Sequence, residues 1–532
     1  MRPRPQTRAY ADTVTFPDDG VSVLDGSALA QRYGGAVAVI AGDRRLTFRD
    51  LERETERAAA GLTRLGLQRG DAIALWLPNV PEWLTLLLGA ARLGVLVVAL
   101  NTRFRSSELK QILRTTRASA VALAPRFLDI DFEGLLAEVA PELPDLRHVI
   151  SIDLRGGFVA FDAASGRKYP AAGGPSDLVC AFSTSGTTGN AKIAVHDQSS
   201  VVEHSAHVAH AFEFAPGDAL LAALPLCGVF GFNSALGALA AGAACVLQPV
   251  FDATEAGRLM AKHQVTHVFG SEAMLQAMLD LPDLQAPAWR RGGVANFANL
   301  ARDVIERAER RSGARLSGLY GSSECFALMA GWPPDAELST RALSGGIPVS
   351  SRIAVRVVDP ETGSRLAHNQ PGELQVRGYN VMAGYFGNAE ATAAAFTSDG
   401  WFRTGDLGAT REQGFLFMSR LRDSLRLRGY LVDPAEIEEY LVGHGAVAGA
   451  QVVGVPRPGW GDVAVAFVRR GPRGTASEAE LLQACRRDLA GYKVPERIVL
   501  VDDFPMTYGP NGAKVQKVAL RGMAEALLDQ RP

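Results

Sequence analysis

The sequence predicts an α/β protein: a large N-terminal part built from α/β layers, a stretch of short strands, and a small α+β C-terminal part. Three observations carry this reading. Strand-like and helix-like segments alternate from about residue 35 to 150 and again from 180 to 330, the rhythm of layers with much parallel sheet. After about residue 345 the texture changes to short strands and turns. Beyond a boundary expected near residues 419–423 the chain has its own small pattern of helices and strands, which divides it into 1–421 and 422–532. A chain of 532 residues also exceeds what one hydrophobic core supports.

Taken in order, "LTFRDLERETERAAAGLTRLG" reads as a helix that opens behind Thr47 as its cap and stops at glycines. "DAIALWLP" and "VLVVAL" are short apolar runs of the buried-strand kind. The stretch from Trp83 to Leu100 is apolar enough to suggest a membrane span, but it carries Arg92 and two glycines. It is expected to be a core helix followed by a buried strand. Ser200 and Glu203 have capping-box spacing, so a helix is expected to begin there. Later strands are expected in "RIAVRVVDPETGSRL", "GELQVRG" and "GFLFMSR". In the last part, "DPAEIEEYLVG" and "SEAELLQACRRDLA" read as helices, and "AQVVGVP" and "DVAVAFVRR" as strands.

The formal net charge of −2 with interspersed signs leaves no footprint for nucleic acid or an anionic membrane, and neither is expected as a partner. The N-terminus has arginines but no apolar run, so no secretory signal is expected. Five cysteines without a CxxC pair fit free thiols in a reducing, cytoplasmic setting. His204 and His207, and His263 and His267, have helix-compatible spacings, but no third ligand stands at a metal-site spacing.

The chemistry is concentrated first in "AFSTSGTTGNAKIAVH", where residues 183 to 189 are all Gly, Ser or Thr and Lys192 follows. Glycines let backbone N–H groups converge on an anion, hydroxyls add donors, and the lysine brings a charge for phosphate oxygens. A flexible polar hairpin loop is the plain alternative. The spacing is not that of the GxxxxGK[ST] loop.

Further along the chain, other segments settle the context. "TSGTTGNAK", "LYGSSE", "GELQVRGYNVMAGYFGNAEATAAAFTSDGWFRTGDLG", "SRLRDSLRLRGYLVDPAEIE" and "NGAKVQK" resemble, in the same order, the signature motifs of the adenylate-forming (ANL) superfamily of acyl-CoA synthetases, adenylation domains and luciferases. The resemblance runs from roughly residue 35 to 521. It implies a small β-barrel-like part within the large domain, and a mobile C-terminal domain.

The resemblance also implies a reaction: a carboxylic acid and ATP give an acyl-adenylate and pyrophosphate, and a thiol then displaces AMP. Thr184, Ser185, Gly186, Thr187, Thr188, Gly189 and Lys192 would hold the terminal phosphates. Glu324 would be the Mg²⁺ carboxylate. Tyr320 would stack on adenine beside Gly321, and Ser323 would reach the α-phosphate. Asp406 would accept the ribose hydroxyls with Arg420 beside it. Lys514 would neutralise the charge developing during adenylation, with Lys192 and Glu324 assisting. Arg422 would be the hinge about which the small domain turns to bring Gly429 to the pantetheine of coenzyme A. The acyl pocket would be lined by Cys227, Gly228, Phe230, Asn296, Phe297 and Gly318.

Four departures from the family pattern stand out. Cys227 and Gly228 replace an aromatic and a histidine, which opens space for a bulky or polycyclic acid. The stretch "LPLCGVFGFN" has no acidic side chain to pair an α-ammonium group, which disfavours amino acids. Asn296, Phe297, Ala298 and Asn299 stand where the family has GGAP. Lys514 comes seven residues after Thr507 where four is commoner, and Ser419 and Arg422 are bulkier than the usual hinge-motif residues. The expected function is therefore an acid:CoA ligase for a hydrophobic acid, using ATP, Mg²⁺ and coenzyme A. Three alternatives stay open: an enzyme confined to the thioester half-reaction from a supplied acyl-adenylate, a free-standing enzyme that loads a carrier protein, and a non-catalytic nucleotide- or acyl-binding module. A homodimer is left open as well.

Overall fold

A computed structural model describes residues 24, 26–153, 157–158, 172–184, 191–296, 300–421, 425–427, 430–432, 434–457, 461–471, 475–489, 491, 493–509 and 512–529. Two large sheets dominate it. In the first, the parallel strands Val37–Ala41, Ala244–Leu247, Ala219–Ala222, His267–Ser271, Arg291–Ala295 and Arg315–Ser322 lie side by side. In the second, Leu178–Thr184, Leu96–Ala99, Ala72–Trp76, Ala120–Leu123 and His148–Asp153 do the same. Both faces of such sheets must be covered, which is why their strands read as unbroken apolar runs.

The largest core cluster lies between the sheets. It joins Val97 and Phe182 of one to Leu220 and Phe269 of the other through the helices Phe48–Arg64, Pro81–Leu93, Gln198–Ala211 and Val229–Ala240. Two further clusters pack helices on the outer faces, so the layers alternate helix, sheet, helix, sheet, helix. The short strands predicted after residue 345 extend the first sheet antiparallel from Arg315–Ser322. Phe326–Gly331 pairs with that strand, then Gly345–Pro348, Phe415–Arg420, Phe402–Thr410, Gly372–Arg377 and Ala354–Val358 follow in turn. From residue 425 onward the described strands and helices build a separate sheet and two core clusters of their own.

Local signals explain most element ends. Thr47 makes the capping box with Asp50, each side chain accepting the other's backbone N–H. The apolar stretch from Trp83 is the helix Pro81–Leu93, stopped by Gly94 in the left-handed region, and the strand Leu96–Ala99. Arg92 inside it forms an ion pair with Glu52 across the helix pair. The capping box expected at Ser200 and Glu203 is not the one used. The helix starts at Gln198 under Asp197, whose carboxylate accepts the Ser200 N–H at 2.8 Å, and Glu203 pairs with Arg352 instead. Asp caps as well as Ser, and the earlier start buries Gln198, which donates to the Ala91 carbonyl and accepts from Leu24 N–H. His263 and His267 do not share a helix either: His263 ends the helix Ala253–His263 and His267 opens a strand.

Helices Phe48–Arg64 and Pro81–Leu93 approach closely because Gly89 has no side chain; a Cβ there would lie 2.9 Å from Ala58 Cβ and Ala59 N. Gly89→Ala is expected to cost about 1–3 kcal/mol by overpacking, read as a lower thermal unfolding midpoint. An unchanged midpoint would contradict this account of the helix pair.

Candidate active site

The strands that flank the glycine- and hydroxyl-rich stretch pair as a hairpin. Strands Leu178–Thr184 and Lys192–Asp197 pair antiparallel with Thr184 directly opposite Lys192. Ser185, Gly186, Thr187, Thr188 and Gly189 lie outside the described residues. The hairpin therefore delivers Lys192 to the end of the second sheet, where its Nζ lies 4.8 Å from the ring centroid of Tyr385.

The "LYGSSE" motif ends the strand Arg315–Ser322, at the junction between the parallel and antiparallel halves of the first sheet. Tyr320 donates to Asp406 Oδ2 at 2.6 Å, and Arg420 forms an ion pair with Oδ1 at 2.9 Å. Asp406 and Arg420 are cross-strand partners, so the backbone register alone sets them face to face. The carboxylate is 3% exposed. Burial first and the Asp406 charge second hold the Tyr320 phenol well above its ordinary value, so it stays protonated and donates. The Asp406 charge likewise raises the Arg420 guanidinium. A carboxylate offers about four acceptor positions, and Tyr320 and Arg420 each take one of them. Gly321 is required beside them, because a Cβ would lie 2.3 Å from the Phe326 carbonyl oxygen.

Downstream, the loop carrying Ser323 and Glu324 is gripped from behind by donors of distant elements. His196 Nε2 donates to the Ser323 carbonyl at 2.8 Å, Met382 N–H to that of Glu324 at 2.7 Å, and Asn380 to that of Cys325 at 2.7 Å. The Ala327 carbonyl accepts from His204 Nε2 at 2.8 Å and from Asn233 at 2.9 Å. Phe326 and Leu328 have φ of 59° and 62°, a strained region for such side chains that needs this surrounding support. The Phe326 ring is stacked between His196 and His204. Glu324 itself accepts from the Tyr385 phenol, Oε1 at 3.1 Å.

Of the acyl-pocket candidates, Cys227 and Phe230 pack in the core beside this junction. Cys227 and Phe230 are buried, lead into and begin the helix Val229–Ala240, and share a core cluster with Tyr320 and Phe269. Gly228 is the helix N-cap. Asn79 pins the preceding turn, donating to the Ala222 and Leu224 carbonyls and accepting from Leu226 N–H. Asn296 follows the strand Arg291–Ala295, and its Oδ1 is buried without a hydrogen-bond partner; Phe297 lies outside the described residues. At Gly318 a Cβ would lie 2.2 Å from the Leu343 carbonyl oxygen, so this glycine seats the strand against that turn.

In the C-terminal part, Lys514 lies in the strand Gly512–Val515, opposite Thr507 of Met506–Gly509. The long spacing between them is thus the length of a hairpin, which returns the lysine beside the threonine. Arg422 and Gly429 lie outside the described residues.

The fold sets a Gly/Ser/Thr-rich hairpin ending in Lys192, the buried Asp406 carboxylate and the Glu324 carboxylate around the junction of the first sheet, with Tyr385 touching both Lys192 and Glu324. Residues 27–386 match the AMP-binding enzyme family and residues 436–508 the AMP-binding enzyme C-terminal domain, and the chain belongs to that family. It is an ATP-dependent, AMP-forming acyl-CoA ligase of the adenylate-forming superfamily. The 3-[(3aS,4S,7aS)-7a-methyl-1,5-dioxo-octahydro-1H-inden-4-yl]propanoyl:CoA ligase of Mycobacterium tuberculosis is 33% identical over 93% of this chain and 97% of its own. The mitochondrial medium-chain acyl-CoA ligase ACSF2 of Rattus norvegicus is 31% identical over 94% and 86%. ATP-bound MatB from Rhodopseudomonas palustris superposes with a TM-score of 0.85 at 27% identity, covering 95% of this chain and 99% of its own. No helix among the described residues is long and apolar enough to cross a membrane.

Sequence reasoning found the motif residues and missed His196, His204, Asn233, Asn380, Asn79 and Tyr385 as supports. Asn380 and Tyr385 lay inside the quoted "GELQVRGYNVMAGYFGN" stretch, His196 and Asn233 close the quoted "AFSTSGTTGNAKIAVH" and "LPLCGVFGFN", and His204 was weighed only as a metal ligand. The two histidines carry a pH prediction. Burial lowers them from 6.5 to about 4 for His196 and about 3 for His204, so both are neutral in the fold. Unfolded histidines take up protons near their ordinary value and folded ones far below it, so stability falls as pH drops below 6.5. Between pH 7 and 5 each should cost about 2 kcal/mol. Denaturant unfolding of a His196→Gln/His204→Gln protein, which keeps side-chain donors, should show a visibly flatter pH dependence; an identical slope would contradict it.

Proposed function

We propose that this ligase activates a hydrophobic, bulky and ring-bearing carboxylic acid. The acid's carboxylate attacks the α-phosphorus of ATP, the bond to the β-phosphate oxygen breaks, and pyrophosphate leaves. The thiol of coenzyme A then attacks the acyl carbonyl and AMP departs, giving the thioester. The observation that carries the reading is the Tyr320–Asp406–Arg420 clamp beside Glu324 and Lys192. Asp406 binds the ribose hydroxyls, Tyr320 faces adenine and Ser323 faces the α-phosphate. Thr184 to Gly189 and Lys192 hold the terminal phosphates, and Lys514 meets the charge that develops as pyrophosphate leaves.

Glu324 fits Mg²⁺: one hard carboxylate together with phosphate oxygens is the donor set that ion prefers, and Tyr385 holds one of its oxygens. The ion would supply charge neutralisation across the phosphates. Domain division at residues 421 and 422, turning about Arg422 and a pantetheine channel at Gly429 belong to this reading, as does a cytoplasmic setting for five buried free cysteines.

Two features support a bulky acid. Cys227 and Gly228 are small where a pocket wall would otherwise carry bulk, and the mycobacterial relative is named for a fused-ring propanoyl acid. The hairpin that returns Lys514 to Thr507 favours the full reaction over the thioester half alone.

The test is ATP–pyrophosphate exchange against fatty, aryl and fused-ring acids, with thioester detection by mass spectrometry. Exchange and CoA thioester with fused-ring acids are expected. Thioester only from supplied acyl-adenylates would shift the assignment to the second half-reaction. Transfer to a carrier protein and not to coenzyme A would shift it to carrier loading, and no turnover at all to a binding module. Lys514→Ala should lower exchange by roughly 10²–10³-fold while thioester formation from supplied acyl-adenylate persists. Unchanged exchange would remove Lys514 from the mechanism.

A further inference from the structure

Beyond its hydrogen bond to Glu324, Tyr385 touches a second group assigned to the phosphates. Its phenol donates to Glu324 Oε1 at 3.1 Å, and its ring lies under the Lys192 ammonium at 4.8 Å. It is 9% exposed. The segment around it is fixed on both sides. Ala383 N–H donates to the Val195 carbonyl and Phe386 N–H to that of Ile193, which adds Gly384–Tyr385 to the edge of the second sheet beside Ala194. Met382 N–H donates to the Glu324 carbonyl, in the turn between two strands of the first sheet. Tyr385 N–H is satisfied by Thr392 Oγ1 at 2.9 Å, so the backbone carrying the ring has little freedom. The five residues from Met382 to Phe386 thus bracket the two sheets together at the place where each contributes one functional side chain.

We infer that Tyr385 is a positioning residue that fixes the Glu324 carboxylate and the phosphate-loop Lys192 relative to each other. The inference rests on the reading of Glu324 as the carboxylate for a phosphate-bound divalent cation. The chemistry is direct. A phenol that donates to one carboxylate oxygen sets the rotamer and turns the other oxygen's lone pairs toward the incoming ion. The same ring's face stabilises an ammonium that has not yet met its anion, holding Lys192 within the site.

The test is Mn²⁺ binding to the full chain in the presence of ATP, followed by electron paramagnetic resonance, with AMP affinity in metal-free buffer measured by calorimetry. Tyr385→Phe keeps the ring and removes the donor. It should weaken Mn²⁺ about tenfold with AMP affinity unchanged, and the loss should vanish in a Glu324→Gln background. Tyr385→Leu should add a several-fold loss of ATP affinity in metal-free buffer, with its thermal midpoint recorded to confirm folding. Wild-type Mn²⁺ affinity in Tyr385→Phe, beside a weakened Glu324→Gln, would overturn the positioning role alone. Equal losses for Mn²⁺ and AMP would overturn it too, since that pattern marks a general loosening of the site. Unchanged Mn²⁺ affinity in Glu324→Gln would overturn the metal assignment and the inference with it.

Discussion

The carboxylate of Asp406, buried between Tyr320 and Arg420, is the constraint on which the site depends. A charge taken out of water is costly unless it is paired and hydrogen-bonded. Here the carboxylate and its two named partners come from three strands, Asp406 from Phe402–Thr410, Tyr320 from Arg315–Ser322 and Arg420 from Phe415–Arg420. Meeting the needs of one carboxylate therefore brings the end of the parallel half of the sheet and two strands of its antiparallel extension into one geometry. Under the proposed function a ribose diol would be held by this same carboxylate, so the structural demand and the binding would share the same atoms.

A second constraint holds the loop Ser323–Cys325 and the start of the strand after it, as far as Leu328. Its backbone is strained at Phe326 and Leu328, and its carbonyls are taken by His196, Met382, Asn380, His204 and Asn233. These donors come from a strand of the second sheet, two interior helices and the segment leading to Tyr385. Strain of this kind persists only when the surroundings over-determine it. The neutral histidines suit the task because a carbonyl oxygen can only accept, so Nε2 must carry the proton. The result is that Glu324 and Ser323 sit on a loop with little room to move, although the loop belongs to no regular element.

The layers, the buried strands, the short-strand region and the C-terminal helices were all legible, because periodicity and apolar runs report burial directly. The motif residues Lys192, Glu324, Tyr320, Asp406, Arg420 and Lys514 were legible through their ordered resemblance to one superfamily. What escaped acts through space. Asn79 lies far along the chain from the turn it holds, and His196 far from Ser323, so no local pattern announces either. The seven-residue spacing before Lys514 looked like a departure and is a hairpin, since register can return a residue to its partner at more than one loop length. Ser200 was misread as a cap because Asp197, an equally good one, stands one turn earlier. The acyl pocket was legible only as missing bulk at Cys227 and Gly228, because pocket shape is a property of packing.

The measurement that bears most directly on this account compares AMP with 2′,3′-dideoxy-AMP by calorimetry, on the wild-type protein and on Asp406→Asn. If the buried carboxylate grips the ribose diol, the wild type should prefer AMP by roughly tenfold or more, the worth of hydrogen bonds to a charged acceptor, and Asp406→Asn should lose most of that preference while still folding. Equal affinity of the wild type for the two nucleotides would contradict the account at its centre.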